Sequence, residues 1–199
     1  MLRLPSALCI VFFSALALVT HAAQGTEVGA YWAFQAENQG AGPTDSTFTE
    51  NVSVNTWPNG SPSFSYAGSR KWNFGNYGGN QAAFDGSSWI SGRAFGWNAN
   101  PGASTGNSFQ ITLDTTSIED LNVKLRYRLN GIQTTSGQLV QGFSSFEYSL
   151  NGGAFTAAPG VSLSLVNNTS YNNLWQADLS AVTAIENAGL VTLRWTLPN

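Results

Sequence analysis

The segment LNVKLRYRLNG, residues 121–131, alternates apolar and polar side chains, and this alternation constrains the fold more than any other feature of the sequence. A period of two places successive side chains on opposite faces of a strand, whereas a helix requires a period of about 3.6 residues. The two sets are Leu121, Val123, Leu125, Tyr127 and Leu129 against Asn122, Lys124, Arg126, Arg128 and Asn130. The segment therefore predicts a half-buried strand with one face in water.

Similar strand patterns recur along the chain and are clearest in its second half. They are SFQITLD (108–114), FSSFEYSL (143–150), GVSLSLV (160–166), LWQADLS (174–180) and LVTLRWTL (190–197). In the first half we predict strands at EVGAYWAFQ (27–35), SFSY (63–66), KWNF (71–74) and SSWISGRAFGW (87–97), with long loops elsewhere between residues 37 and 80. Only AVTAIENAG (181–189) predicts a helix, of about two turns ending at Gly189.

Many short strands with almost no helix predict an all-β fold. The architecture we expect is an antiparallel β-sandwich of jelly-roll-like type, with an immunoglobulin-like sandwich as the alternative.

The stretch FEYSLNGGAFTAA, residues 146–158, contains Asn151-Gly152-Gly153 between two alternating runs. Asn-Gly favours a type I′ hairpin turn, which needs a positive φ at both central residues, and Gly153 leaves room for a bulge. The Ser-x-Asn-x-Gly spacing loosely resembles the Asp-box of sialidase-type propellers. That motif needs an Asp at position 151 and one copy per blade, so we interpret the stretch as a hairpin.

The chain opens with the pattern of a secretory signal peptide. Arg3 is followed by an apolar run from about Leu8 to Val19 and by small residues at Thr20, Ala22 and Ala23. The run is too short for a transmembrane helix. We therefore expect a signal peptide at 1–23, cleavage after Ala22 or Ala23, and a secreted or cell-surface domain at 24–199.

Removal of this leader limits the chemistry of the mature chain. The single Cys and the single His, Cys9 and His21, both lie in the leader. The mature chain then has no disulfide, no His-dependent triad, no Cys nucleophile and no His or Cys zinc ligand. Loss of Arg3 leaves seven Lys and Arg against eleven Asp and Glu, a net charge of −4, which disfavours a nucleic-acid or anionic-membrane partner. We also expect no membrane insertion of the mature chain.

Aromatic residues in loop-like sequence are the first candidate ligand-binding residues. Trp57, Trp72 and Tyr77 stand beside Pro, Gly and Asn, and such rings stack on the apolar faces of sugars. The alternative is that they belong to the core.

A basic stripe is the second candidate. Lys124, Arg126 and Arg128 place three of the seven mature basic residues at alternate positions of one strand, where they could bind an acidic polysaccharide or another carboxylate ligand. The alternative is a solvated face paired with Glu147 or another carboxylate on a neighbouring strand.

Carboxylates are the remaining candidates. Glycoside hydrolysis requires two facing acids, and those available are Asp85, Asp114, Glu119, Asp120, Glu147 and Asp178. The Glu-x-Asp-x-Glu strand motif of laminarinase-like hydrolases is missing, so we expect no catalytic activity. We also expect no cofactor and no catalytic metal, although carboxylates and carbonyl groups suffice for a structural Ca²⁺.

Four segments together resemble the secreted jelly-roll-like domains of PEP-CTERM-type exported bacterial proteins. They are SWISGRAFGW, NSFQITLDTTSIEDLNVKLRYRLNG, FEYSLNGGAFT and GLVTLRWTL, and they span about residues 87 to 197. The resemblance implies an extracellular, cysteine-poor β-domain whose function is mostly unassigned, and it offers no catalytic residues. Such domains close with a further strand of Arg-x-Asp-Asn-like pattern, whereas this sequence stops at WTLPN, so we expect a C-terminally truncated domain.

Taken together, these features predict a non-catalytic extracellular domain that binds carbohydrate or acts in adhesion, with a polysaccharide or another surface protein as its partner. A structural spacer without a small ligand and a carboxylate-dependent glycoside hydrolase are the alternatives.

Overall fold

The computed structural model describes residues 10–22, 25–32, 47–50, 54–55, 57–67, 71–72, 95–98, 108–129, 140–196 and 198. Its side chains are described for Ala30, for 57–66, and for 108–129 and 140–196 except Arg126, Arg128 and residues 168–172.

Within this part of the chain the structure is all-β, and its strands form two antiparallel sheets. The strands are β1 (Ile10–Ala22), β2 (Gly25–Trp32), β3 (Thr47–Glu50), β4 (Val54–Asn55), β5 (Ser63–Ala67), β6 (Lys71–Trp72), β7 (Phe95–Asn98), β8 (Ser108–Asp114), β9 (Asn122–Leu129), β10 (Ser145–Leu150), β11 (Thr156–Ala157), β12 (Asn168–Asp178) and β13 (Leu190–Thr196). The predicted all-β antiparallel fold is confirmed, and no helix of the described residues is long and apolar enough to span a bilayer.

The first sheet, sheet A, has the order β12-β9-β1-β2-β4, and β7 joins β6 to β1. Strand β9 is the predicted alternating segment, and it pairs with β12 on one side and with β1 on the other. The backbone of Ile10–Ala22, which overlaps the predicted signal peptide, thus occupies a central position of sheet A.

The second sheet, sheet B, has the order β11-β10-β13-β8-β5-β3. Strands β8 and β13 pair without interruption from Ser108↔Thr196 to Asp114↔Leu190. Their inward residues alternate with polar ones, and Phe109, Ile111 and Trp195 are fully buried. A period-two pattern in both strands therefore gives sheet B one apolar face.

Aromatic rings from the two sheets meet in one cluster. Trp175 on β12 of sheet A lies 5.5 Å from Phe146 and 5.9 Å from Trp195 of sheet B, measured between ring centroids. Trp195 in turn stacks on Phe109 at 4.7 Å. Aromatic pairs of this geometry contribute about 0.5–1.5 kcal/mol each beyond the area that they bury. This cluster joins the two sheets across the core.

The turn after β10 has the predicted conformation. Asn151 and Gly152 have φ values of 51° and 75°, as a type I′ turn requires, and the Gly153 amide donates to the Leu150 carbonyl oxygen at 2.9 Å. Because Tyr148 then pairs with Thr156, one extra residue is accommodated after the turn, in the place predicted for a bulge.

Two predicted elements are wrong. The segment 160–166 forms only an isolated bridge, Gly142↔Ser164, because its backbone groups bond to a loop and to side chains and not to a full neighbouring strand. The segment 181–189 contains a 3-10 turn at Thr183–Ile185 and no α-helix. It ends there because Asn187 takes a left-handed conformation, with φ 52°, and its side chain accepts a bond from the Ser117 amide.

Candidate functional site

The three candidate aromatic residues have different positions. Trp57 is only 5% exposed, and its Nε1 donates a hydrogen bond to the Asp114 carbonyl oxygen at 2.6 Å. A ring this buried offers no open face to a sugar, so its position does not support a stacking role. The backbone of Trp72 lies in β6, and Tyr77 and the Trp72 side chain lie outside the described residues.

The basic stripe lies on β9, where its positions alternate with buried Leu125 and Tyr127. Lys124 is half-buried and stands opposite Gln176 of β12, and Arg126 stands opposite Leu174. Among the described residues, the Lys124 ammonium group has no hydrogen bond or ion pair. The side chains of Arg126 and Arg128 lie outside the described residues.

Glu147 does not pair with this stripe. It lies on β10 of sheet B, opposite Arg194 of β13, and its Oε2 accepts bonds from Arg194 Nε at 3.0 Å and Nη2 at 2.8 Å. The Ser145 hydroxyl donates to the same oxygen, and the Arg194 guanidinium lies 3.5 Å from the centre of the Phe155 ring. Glu147 is therefore not the partner of the stripe, and it faces a cation and not a second acid. Pairing with another carboxylate on a neighbouring strand stays a prediction.

A polar cavity of about 240 Å³ opens at the end of sheet A, where β9 begins and β12 ends. Among the described residues, Asp120, Asn122, Asp178 and Ser180 line it. Asn122 and Asp178 are direct cross-strand partners, and the Leu179 amide donates to the Leu121 carbonyl oxygen at 2.8 Å just beyond them. Antiparallel pairing therefore brings together side chains 56 positions apart in the sequence.

Backbone amide hydrogen bonds hold both edges of the cavity in place. The Ser180 amide donates to Asp178 Oδ1 at 3.0 Å, which orients that carboxylate at the strand end. Asp120 has a φ of 53°, a left-handed conformation that Asp tolerates better than most residues, and its amide donates to Glu186 Oε1 at 3.4 Å. These contacts fix where β9 starts and so fix the cavity wall.

Asp114, another of the candidate acids, has a different environment. The Thr116 side chain and the Thr116 amide both hydrogen-bond to the Asp114 carboxylate and hold its pKa below the ordinary value. Asp114 closes the turn after β8, and it does not line the cavity.

The cavity is the site that sequence reasoning missed. From the sequence alone, Asp120 and Asp178 are available acids and Asn122 is an outward position of one strand. The signals that could have identified it are the two Asp-x-polar pairs, Asp120-x-Asn122 and Asp178-x-Ser180, but their meeting depends on the strand register. Within the part of the chain that the structure describes, no three His, Cys, Asp or Glu side chains come together.

A scan against protein-family models, a search of curated proteins and a search of solved structures each found no match to the chain. The resemblance to PEP-CTERM-type exported domains therefore stays a prediction.

Proposed function

We propose that the chain is a non-catalytic extracellular domain of jelly-roll-like type that binds an acidic polysaccharide. The binding surface is the outer face of β9 and β12, with the basic stripe Lys124, Arg126 and Arg128 as its centre. The observation that carries the proposal is that the Lys124 ammonium group has no partner among the described residues while Glu147 is bound to Arg194. A lysine without a counter-ion among the described residues keeps its charge for a ligand.

The neighbouring strand supplies contacts suited to a sugar chain. Gln176 is exposed beside Lys124, and Leu174 is 46% exposed on the same face of β12. An amide can bond to hydroxyl groups, an aliphatic side chain can cover the apolar face of a ring, and a guanidinium can bind a carboxylate through two parallel hydrogen bonds. The combination favours uronic-acid sugars over neutral ones.

The negative net charge of the mature chain disfavours nonspecific binding of anionic polymers. With −4 overall, an acidic polymer is repelled by most of the surface and attracted at the stripe. Binding should therefore be local and sensitive to salt.

Affinity electrophoresis tests the proposal. The protein is run through gels that contain a uronic-acid polysaccharide or a neutral glucan, beside a triple variant, Lys124→Ala, Arg126→Ala and Arg128→Ala. A second triple variant, Arg70→Ala, Lys71→Ala and Arg93→Ala, has the same net charge and serves as the matched control.

We expect the acidic polysaccharide to retard the wild type and the control triple variant, and not the stripe variant. Equal loss of retardation in both triple variants would show that retardation depends only on the net charge of the protein. Unretarded migration of the folded wild type in every gel would refute polysaccharide binding.

A structural spacer is the second candidate function, and the burial of Trp57 favours it because one proposed stacking ring belongs to the core. A spacer would bind only other proteins, so it predicts no retardation in any gel together with self-association or partner binding in sedimentation experiments.

A hydrolase is the third candidate, favoured only by the shared position of Asp120 and Asp178 in one cavity. It predicts release of reducing sugar ends that Asp178→Ala abolishes. Non-catalytic binding predicts retardation without any release.

A further inference from the structure

We infer that the cavity formed by Asp120, Asn122, Asp178 and Ser180 is a Ca²⁺ site. All four side chains carry oxygen atoms, two of them as carboxylates, and Ca²⁺ is bound in proteins by oxygen ligands at about 2.3–2.6 Å. The inference concerns a metal site at the end of sheet A, and it does not depend on polysaccharide binding at the stripe.

Each of the two strand ends, the start of β9 and the end of β12, contributes two of the four side chains. Asn122 and Asp178 stand opposite each other in the last register position of β9 and β12. Asp120 and Ser180 lie two residues outside them, one on each chain segment, and line the same cavity. Directly opposed side chains of antiparallel strands have Cβ atoms about 4.5–5.5 Å apart, which is a suitable separation for two groups that share one ion.

Asn122 is the independent indication of a ligand. It is only 8% exposed, and its side chain makes no hydrogen bond to the described residues. A mostly buried amide that makes no hydrogen bond within the described structure needs a partner from outside it, either water or a ligand. Because this side chain lines the cavity, an ion there would receive the amide oxygen as a ligand.

The chemistry of the lining side chains favours Ca²⁺ over other metal ions. Because the described lining residues offer oxygen ligands and no thiolate or imidazole, a hard cation is favoured over Zn²⁺ or copper. A cavity of about 240 Å³ that opens to solvent suits the six to eight ligands of Ca²⁺, with water or backbone carbonyl groups completing the shell. Mg²⁺ demands a tighter octahedron. Two carboxylates place the expected Kd in the range of extracellular modules, about 10⁻⁴ to 10⁻³ M.

The test is thermal unfolding of the purified, chelator-treated full chain with CaCl₂, MgCl₂ or NaCl at equal ionic strength, without polysaccharide. An ion that binds only the folded state raises the Tm with its concentration. The variants are Asp178→Asn, which removes a charged ligand, and Asn122→Asp, which adds one. Asp114→Asn removes a carboxylate outside the cavity and is the control.

We expect Ca²⁺ to raise the Tm of the wild type and of Asp114→Asn more than Mg²⁺ or NaCl does. The apparent affinity should fall about tenfold in Asp178→Asn and rise about tenfold in Asn122→Asp, because charge count tunes Ca²⁺ sites. An equal response to NaCl, an unchanged Ca²⁺ response in Asp178→Asn, or no response up to about 10 mM Ca²⁺ overturns the inference.

Discussion

The indole Nε1 of Trp57 donates a hydrogen bond to the backbone carbonyl oxygen of Asp114, 2.6 Å away, and joins the segment before β5 to the last residue of β8. Asn59 supports the same junction through its side-chain amide, which donates to the Thr116 carbonyl oxygen. Trp57 thus closes one end of sheet B over the core. Its surroundings explain why a tryptophan in loop-like sequence is buried here.

We predict that Trp57→Phe lowers stability and leaves polysaccharide binding unchanged. The substitution keeps an aromatic ring and removes the bond to Asp114, which should cost about 0.5–1.5 kcal/mol in the free energy of unfolding, measured in urea. Trp72→Ala and Tyr77→Ala are the comparison for sugar stacking. A loss of retardation in Trp57→Phe with unchanged stability would contradict this prediction.

Substitution by Phe should lower the free energy of unfolding by different amounts at the two core tryptophans, Trp175 and Trp195. Trp175 Nε1 donates to the Ser162 carbonyl oxygen at 2.7 Å, whereas the buried Nε1 of Trp195 has no hydrogen-bond partner within the described structure. Both substitutions remove volume, but Trp175→Phe also leaves the Ser162 oxygen without its donor. We expect Trp175→Phe to cost about 1–2 kcal/mol more than Trp195→Phe in urea unfolding. An equal or larger cost for Trp195→Phe would show that ring volume dominates.

Tyr127 should make the fold sensitive to alkali. Burial raises the pKa of Tyr127 above its ordinary value of about 10, although the hydrogen bond from the Val166 amide at 2.6 Å opposes the shift. Because the folded pKa exceeds the unfolded one, this contribution to stability is fully present below about pH 10 and is lost as the pH rises through the folded pKa.

We therefore predict that Tyr127→Phe is less stable than the wild type by about 1 kcal/mol at neutral pH and loses less stability above about pH 10. Unfolding in urea at neutral and alkaline pH measures both effects, and Tyr148→Phe controls for the loss of a tyrosine elsewhere. Parallel stability curves of Tyr127→Phe and the wild type above pH 10 would be the contrary result.

The position of β1 gives a prediction about processing. Cleavage after Ala22 or Ala23 would remove the whole of Ile10–Ala22. Strand β9 would then lose its β1 partner from Asn122 to Leu129 and keep β12 along its other edge. We expect the exported protein to begin at Ala23 or Gln24, as determined by intact-mass spectrometry. We also expect its β9 amides to exchange hydrogen faster than in an Ala22→Arg/Ala23→Arg precursor, in which neither cleavage site keeps its small residue. Export of a chain that retains residues 10–22 would contradict the signal-peptide assignment.

Local patterns predicted the strands and the turn where the sequence itself supplies the restraint. The alternation from Leu121 to Leu129 defines one apolar face, and Asn151-Gly152 supplies the two positive φ values of its turn. The same reasoning failed at 160–166, where Val161 and Leu163 alternate and pack on the core, but Tyr127, Trp175 and the loop around Gly142 bind the backbone. An alternating pattern predicts an apolar face and cannot show whether a neighbouring strand exists.

The cavity could not be predicted because it depends on register. Asp178 meets Asn122 only through the pairing of β9 with β12, and a shift of one residue would turn one of them to the other face. Lys124 illustrates the opposite case. Its position on a strand follows directly from the sequence, and only its lack of a partner among the described residues required the structure.

The most direct test of the proposed function is to map a uronic-acid oligosaccharide onto the protein by ¹H–¹⁵N NMR titration. The proposal predicts saturable shifts that are largest at the amides of Lys124, Arg126 and Gln176. No shifts, or shifts centred away from β9 and β12, would contradict it.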